Sequence, residues 1–456
     1  MKTIAIALSP NTSRQDSLLA LRLLAAPGRW GQTGEMTAML ERAVASHVGV
    51  EHAFALDSGR SGLYLALQAM GIGAKDEVVI QAYTCIAVPN SVVWAGAKPV
   101  YADIDAATLN VDLKSLEAKI TPQTKAIVVQ HTFGRPGPVW EIVELARARG
   151  IRVIEDCAHA LGAMTDARPV GSFGDAAIFS FGRDKVISSV SGGMITTADP
   201  DLARELARLR DALPLPGARW TFNQLFHPVA SSPILRTYDV AKLGKALLFG
   251  LQKTGLLDLA VRPEERRGQM PKGMPTRLPD VVAQMALSQF ARLGAFNTRR
   301  RHLAALYDEA LSNSNIQLPL ADQQTSKSAN RQSPTHPIAQ SPNHPLTQSP
   351  NRPLAHSPTH PLTQSIYLRY TIHVPNPARL HAAARAQNIN LGNWYDTVIA
   401  PADSNLSAIA YNPGQCPVAE AQAATSINLP THPKVTLEDG AHIAEIVRKW
   451  DAEKRG

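Results

Sequence analysis

Short apolar runs alternate with amphipathic stretches from His52 to Thr197. The runs read HAFAL (52–56), VVIQA (78–82), PVYADI (99–104), AIVVQ (126–130), RVIED (152–156), AAIFSF (176–181) and GGMITT (192–197). Most are rich in β-branched or aromatic side chains, as buried strands are. Between and around them apolar positions recur at helical spacing, as in GEMTAMLERAVASHV (34–48), LYLALQAM (63–70), VWEIVELARARG (139–150) and DLARELARLRDAL (201–213). This alternation predicts an α/β fold built on a mostly parallel sheet. In such sheets ligands bind beyond the carboxyl ends of the strands. Tyr83, His131, Asp156 and Lys185 all follow strand-like runs and could share that edge.

The pattern changes after Leu213. Residues 214–275 read as an irregular, partly helical connection, with an apolar helix over 238–261 that carries Lys242, Lys245 and Lys253. Such a helix packs on its own domain, on a partner subunit or on a membrane surface. Residues 277–313 predict a long amphipathic helix spanning the junction to a second domain. An octapeptide of the type QSPTHPLT then repeats from Gln332 to Thr363. Two prolines per unit exclude helix and sheet interiors, so an extended insertion with no catalytic role is expected. His336, His344, His356 and His360 within it lack metal-ligand spacing on a rigid frame, and no metal site is expected. Strand and helix patterns resume at 365–391 and 424–450. The expected division is an N-terminal segment (1–30), a large α/β domain (31–275) and a small α+β domain (276–456), the last interrupted by 322–365.

At 456 residues the chain has room for two or three domains. The formal charge of +8 is spread out and falls in no zinc-finger, RRM or helix-turn-helix pattern, so anionic small ligands are expected and nucleic acid is not. Cys85, Cys157 and Cys416 form no CxxC pair, which suits a reducing cytoplasm. No secretory signal pattern opens the sequence, and no apolar run reaches the roughly 18–20 residues that span a bilayer.

The chemistry concentrates between Ile154 and Ile195. Asp156 ends one strand-like run, and Lys185 follows another 29 positions later, just before the small-residue patch SSVSGG. A pyridoxal phosphate enzyme needs such a pair. The lysine forms a Schiff base, and the carboxylate keeps the pyridine nitrogen protonated so that the ring can act as an electron sink. The turn DSGRSG (57–62) precedes a helix whose N-terminus suits a phosphate, or it is an ordinary connection capped by Ser58 or Ser61.

The blocks HAFALDSGRSGLYLAL, DEVVIQAYTCIAVPNSVVWAGAKPVYADID, VIEDCAHALGA, FGDAAIFSFGRDKVISSVSGGMI and INLPTHP, with the 278–309 helical stretch, stand in the order and at the spacing of a known family. The chain resembles the DegT/DnrJ/EryC1/StrS sugar aminotransferases of the aspartate aminotransferase-like fold type I. The resemblance implies a seven-stranded, mostly parallel sheet in the large domain, pyridoxal 5'-phosphate as cofactor and a homodimer whose active sites form between subunits. By the same resemblance Lys185 is the Schiff-base lysine and Asp156 the partner of the pyridine nitrogen. Ser180 and the turn at Gly59 and Arg60 contact the phosphate. His159 stands where a glutamine is usual beside the ring.

Three positions depart from the family pattern. Arg60 replaces the threonine of an S-G-T turn. Cys85 takes the place of the aromatic that stacks on the ring, with Tyr83 as the candidate substitute. Of an N-Y-R segment donated across the dimer to the substrate, only Arg277 survives in Pro275-Thr276-Arg277. The implied activity moves an amino group from an amino acid, glutamate foremost, to a keto-sugar linked to a nucleotide, in polysaccharide or secondary-metabolite biosynthesis. Dehydration or a non-sugar ketone on the same cofactor stays open, as does a regulatory or membrane-associated role that uses 238–261.

Overall fold

The computed structural model describes residues 4–6, 9–238, 243–320 and 363–453. The octapeptide stretch 332–362 lies outside these. Seven of the apolar runs become the strands β1 (His52–Leu56), β2 (Glu77–Gln81), β3 (Lys98–Ala102), β4 (Thr124–Gln130), β5 (Arg152–Asp156), β6 (Ala176–Ser180) and β7 (Gly193–Thr197). They form one sheet in the order β1-β7-β6-β5-β4-β2-β3. Only β7 runs against its neighbours; β2 to β6 pair in parallel. Val78, Val79, Ile127 and Ile154 are fully buried, because helices cover both faces.

The carboxyl ends of β1, β4, β5 and β6 share one edge, and the antiparallel β7 begins there: Gly193 pairs with both Leu56 and Ser180. A Cβ on Gly193 would lie 2.3 Å from the backbone of Ser58 and Gly59, so only glycine lets β7 pass under the β1 turn. The Gly59–Ala69 helix starts at that point. Ser58 Oγ caps it by accepting the Ser61 N–H at 3.2 Å.

Residues 214–275 are more ordered than their sequence suggests. They contain the helices Ala218–Arg236, with Pro228 and Pro233 inside it, and Leu243–Lys253, then a single helical turn, Pro263–Arg266. The helix expected over 238–261 is therefore shorter in the described residues. The strap 254–262 runs from its end to the sheet edge.

The stretch 277–313 is two helices, Asp280–Phe290 and Leu293–Leu311. The first packs Val281, Val282 and Met285 with Phe179 and Met194 of the large-domain core. The second carries Leu293 and Phe296 in that core but Leu303, Tyr307 and Leu311 in the other. The Leu293–Leu311 helix thus contributes to both cores. The small core is completed by the antiparallel strands Tyr370–His373 and Ser426–Leu429 and by the helix Leu437–Ala452, which is capped by Thr436 as its sequence predicts. Tyr395, Ile399, Ile409 and Tyr411 cross back into the large core, and Ile399–Ala400 pairs with Thr84–Cys85. That return carries the 393–401 loop to the sheet edge.

Candidate active site

A cavity of about 400 Å³ opens at the carboxyl edge of the sheet. Gly59, Arg60, Cys85, Asp156, His159, Ser180 and Lys185 all line it. Seven residues singled out from sequence therefore converge. Tyr83 and Arg277 stand apart from it. Tyr83 is fully buried in the wall behind, its ring edge-on to Phe133 and Tyr395 and its hydroxyl 2.8 Å from Ser426 Oγ. It is not a lining group, contrary to the role suggested for it as a stacking ring. Arg277 bridges to Leu56 through the backbone, outside the cavity of its own chain.

Asp156 ends β5 and is 6% exposed. Its Oδ1 accepts the Ala158 N–H at 3.0 Å. Burial raises the pKa of its carboxyl, while the Ala158 N–H, Lys185 and His131 oppose that rise. Lys185 sits in the turn after β6, and burial lowers the pKa of its ammonium; Cys85, Asp156 and Asp184 oppose this and Arg369 adds to it. Its Nζ lies 2.9 Å from His159 Nε2 and 5.0 Å from the centre of the Trp394 ring.

His159 is buried, and its pKa is driven well below the usual range by desolvation, then by Lys185 and Arg369. Its Nδ1 accepts the Phe133 N–H at 3.4 Å, which assigns the ring proton to Nε2. A neutral Lys185 amine can accept that proton's hydrogen bond; a protonated one cannot. The His159 N–H thus faces the Lys185 amine, and burial lowers the pKa of both groups.

One end of the cavity lies between the Gly59–Ala69 helix and Ser180. First-turn N–H groups of a helix have no partner inside it, and those of Gly59 and Arg60 stand at the cavity wall. A Cβ on Gly59 would come within 3.1 Å of the Phe179 carbonyl oxygen and of Ser180 Cβ, so the turn and β6 approach as closely as glycine allows. The Arg60 side chain, 22% exposed, is engaged by the segment that covers the cavity. It pairs with the buried Glu265 carboxylate and donates to the Ala260 carbonyl at 3.0 Å. Glu265 also accepts the Arg262 N–H at 2.7 Å. The strap thereby roofs the cavity with Asp258, Ala260, Val261 and Arg262. Arg183 donates to the Asp258 carbonyl at 2.8 Å, and Asn223 and Gln224 hold the Asp258 carboxylate.

Trp394 and Tyr395 were not picked out from the sequence. Phe133, His159, Trp394 and Tyr395 form a closed cluster of rings: His159 stacks 5.7 Å from Phe133 and 5.6 Å from Trp394, and Tyr395 lies 6.1 Å from Trp394 and 5.4 Å from Phe133. The one available signal was two adjacent aromatics in a chain with only 5% aromatic residues. Behind Trp394, Arg369 lies 4.6 Å from the ring centre and donates to the Ile6 carbonyl at 2.8 Å. Asn11 reaches the Lys185 and Val186 carbonyls at 2.6 and 3.0 Å, and the fully buried Arg300 joins Asn11 Oδ1 to the Val186 carbonyl. The lysine turn is thus tied to the N-terminal segment and to the Leu293–Leu311 helix.

His131, Glu155 and Cys157 cluster within 4.8 Å beneath the site. Glu155 accepts the N–H groups of Gly171, Phe173 and Gly174, and His131 Nδ1 accepts that of Gly137. With these lone pairs engaged the cluster braces the loop after β5 and is not arranged to ligate a metal.

Comparison with known proteins agrees with this geometry. The model of the DegT/DnrJ/EryC1/StrS aminotransferase family matches residues 13–231, 249–349 and 337–448. A GDP-perosamine synthase of Caulobacter vibrioides is 46% identical over 189 residues, which span 41% of this chain and about half (51%) of that relative. UDP-N-acetyl-3-dehydro-alpha-D-glucosamine 3-aminotransferase of Acidithiobacillus ferrooxidans is 29% identical over 419 residues, 91% of this chain and 89% of its own. Among solved structures, Spr1654 of Streptococcus pneumoniae in its PLP form superposes with a TM-score of 0.68 at 21% identity, covering 98% of each chain, and shares the fold. The chain belongs to the DegT/DnrJ/EryC1/StrS aminotransferase family.

Proposed function

We propose that this chain is a pyridoxal phosphate-dependent aminotransferase that moves an amino group from an amino acid, glutamate foremost, to a nucleotide-linked keto-sugar. The observation that carries this is the convergence of Lys185, Asp156, His159, Ser180 and Gly59 on one cavity. The residues fit the cofactor. The glycine-built cradle at Gly59 with Ser180 suits its phosphate, the buried Asp156 carboxylate its ring nitrogen, and the Lys185 amine its aldehyde carbon.

Bound pyridoxal phosphate supplies an electron sink for the charge left when the donor's α-proton departs. The chain's own groups do the rest. Asp156, charged when a cation faces it, favours a protonated ring nitrogen, and the Ala158 N–H fixes its orientation. Lys185 Nζ, its basicity lowered by burial, is the group that would take up the α-proton in its neutral form and return it. His159 holds that amine in place from Nε2 while its ring is clamped between Phe133 and Trp394. The keto-sugar substrate rests on the relatives, whose names specify a GDP-linked and a UDP-linked product or substrate. A homodimer in the cytoplasm follows the family expectation, and we assign Arg277, which lies outside its own cavity, to the substrate of a second copy.

The test is direct. The purified protein should show visible absorbance from cofactor joined to lysine, and glutamate should abolish the band by converting the cofactor to its amine form. A panel of nucleotide-linked keto-sugars should restore it. A Lys185→Ala protein that keeps the band and the glutamate half-reaction would refute the assignment.

A further inference from the structure

The strap holds two guanidinium groups side by side at the cavity. Asp258 and Ala260 lie two positions apart on it, a span of at most about 7 Å. The Asp258 carbonyl accepts from Arg183 Nη2 at 2.8 Å, and the Ala260 carbonyl accepts from Arg60 Nη2 at 3.0 Å. Arg60 stands in the first turn of the Gly59–Ala69 helix, so the strap brings Arg183 to the same helix N-terminus. The two cations feel each other: the Arg60 charge helps to lower the pKa of Arg183.

They differ in what offsets them. Arg60 is paired with the Glu265 carboxylate. Arg183 forms no ion pair among the described residues, and the bond to the Asp258 carbonyl is the hydrogen bond its side chain makes there. A guanidinium carries five N–H donors, so most of those on Arg183 are left for a ligand in the cavity that it lines. Desolvation lowers its pKa, and Asp184 and Asp258 oppose this from beyond ion-pair distance. The Asp258 carboxylate is itself taken by Asn223 and Gln224. A cation drawn out of water in this way calls for an anion.

The neighbours of Arg183 indicate which anion. Ser180 Oγ accepts the Gly182 N–H at 3.3 Å, and a Cβ on Gly182 would lie 3.4 Å from that oxygen and 3.5 Å from Lys185 Cγ. Ser180, Arg183 and Lys185 thus leave one tight turn. Its lysine serves the aldehyde carbon of the cofactor, while Ser180 and the Gly59 turn serve the phosphate. Arg183, held beside Arg60 by the strap, stands with the second group.

We propose that Arg183 binds the phosphate of the cofactor, the task that the family resemblance gives to Arg60. This rests on the pyridoxal phosphate reading of the site. Guanidinium and phosphate match as two parallel charge-assisted hydrogen bonds. Arg60, paired with Glu265, instead holds the strap to which Arg183 is bonded.

The experiment uses the full-length chain stripped of cofactor. It is titrated with pyridoxal phosphate or with pyridoxal, which lacks the phosphate, and binding is read from the visible band. Arg183→Gln should weaken pyridoxal phosphate about 10- to 100-fold, as the loss of a hydrogen bond to a charged group does, and leave pyridoxal within about twofold. Arg183→Lys keeps the charge without the fork and should recover part of the loss. Inorganic phosphate should compete with pyridoxal phosphate on the wild-type chain, and about tenfold more weakly on Arg183→Gln. A roof merely loosened by the substitution would weaken both ligands, so equal losses overturn the proposal. Unchanged affinity for pyridoxal phosphate overturns it too. If Arg183→Gln then weakens glutamate or uridine diphosphate, the guanidinium belongs to a substrate anion. A wild-type chain that takes up no pyridoxal phosphate refutes the proposed function itself, whereas the outcomes on the variants refute only the role of Arg183.

Discussion

Replacing Glu265 by glutamine leaves the Arg60 guanidinium without its carboxylate at the edge of the cavity. Glu265 is 1% exposed at its side chain and Arg60 22%. Breaking a buried ion pair from one side costs about 3–5 kcal/mol, mostly the penalty of an uncompensated charge. Arg60 keeps its bond to the Ala260 carbonyl and some contact with water, so about 3 kcal/mol is expected for Glu265→Gln. Arg60→Thr strands the more deeply buried partner, with only the Arg262 N–H left to it, and falls toward the upper end, about 4 kcal/mol. The double variant removes both charges at once. It should therefore be more stable than the sum of the single losses predicts, by about 2–3 kcal/mol. Urea unfolding of the four cofactor-free proteins, followed by tryptophan fluorescence, measures this cycle. Additivity within about 0.5 kcal/mol would show that the pair does not hold the strap and would refute the reasoning.

Gly193→Ala places a methyl group 2.3 Å from the backbone of Ser58 and Gly59, which cannot yield as a flexible side chain would; loss of the visible cofactor band, or expression only as insoluble protein, is expected. Asp57 lines the cavity, and burial raises its pKa from 3.8 to about 6. The folded state therefore holds the proton more tightly than the unfolded chain, and stability falls as pH rises from about 4 to about 6. Asp57→Asn should remove that slope and stabilise the apoprotein at pH 7 by about 2–3 kcal/mol, measured by urea unfolding at several pH values. His373 shows the opposite direction: burial lowers its pKa from 6.5 to about 4, so its contribution is complete above about 6.5 and is lost as pH falls toward 4. About 3 kcal/mol of acid sensitivity in that window should disappear in His373→Gln.

The strands and the Asp156–Lys185 pair were legible because each depends on local pattern: an apolar run, its polar end and a fixed distance along the chain. The turn at Gly59 was legible as a turn, but its exact use was not. Arg60 could be read as a phosphate ligand or a solvated side chain, and its true partner, Glu265, lies 205 residues away in the single helical turn Pro263–Arg266, with no apolar period to announce it. Trp394 was hidden for the same reason. Nothing local to N-W-Y-D says that the loop returns to the large domain; the pairing of Ile399–Ala400 with Thr84–Cys85 brings it there. The stretch 277–313 carried one continuous helical pattern, whereas the chain breaks it between Phe290 and Leu293 to feed two different cores.

The ties behind Lys185 have a kinetic side. Asn11 reaches the lysine carbonyl across 174 positions, Arg300 reaches Asn11 across 289, and Arg369 reaches Ile6 across 363. Closing such loops is slow, because their entropy must be lost before the contacts that reward it can form. The Lys185 turn is therefore fixed in place only after the N-terminal segment has met the Leu293–Leu311 helix. Colour gained on adding pyridoxal phosphate to a refolding chain reads the completion of folding, and a nascent chain still missing its C-terminal domain stays colourless.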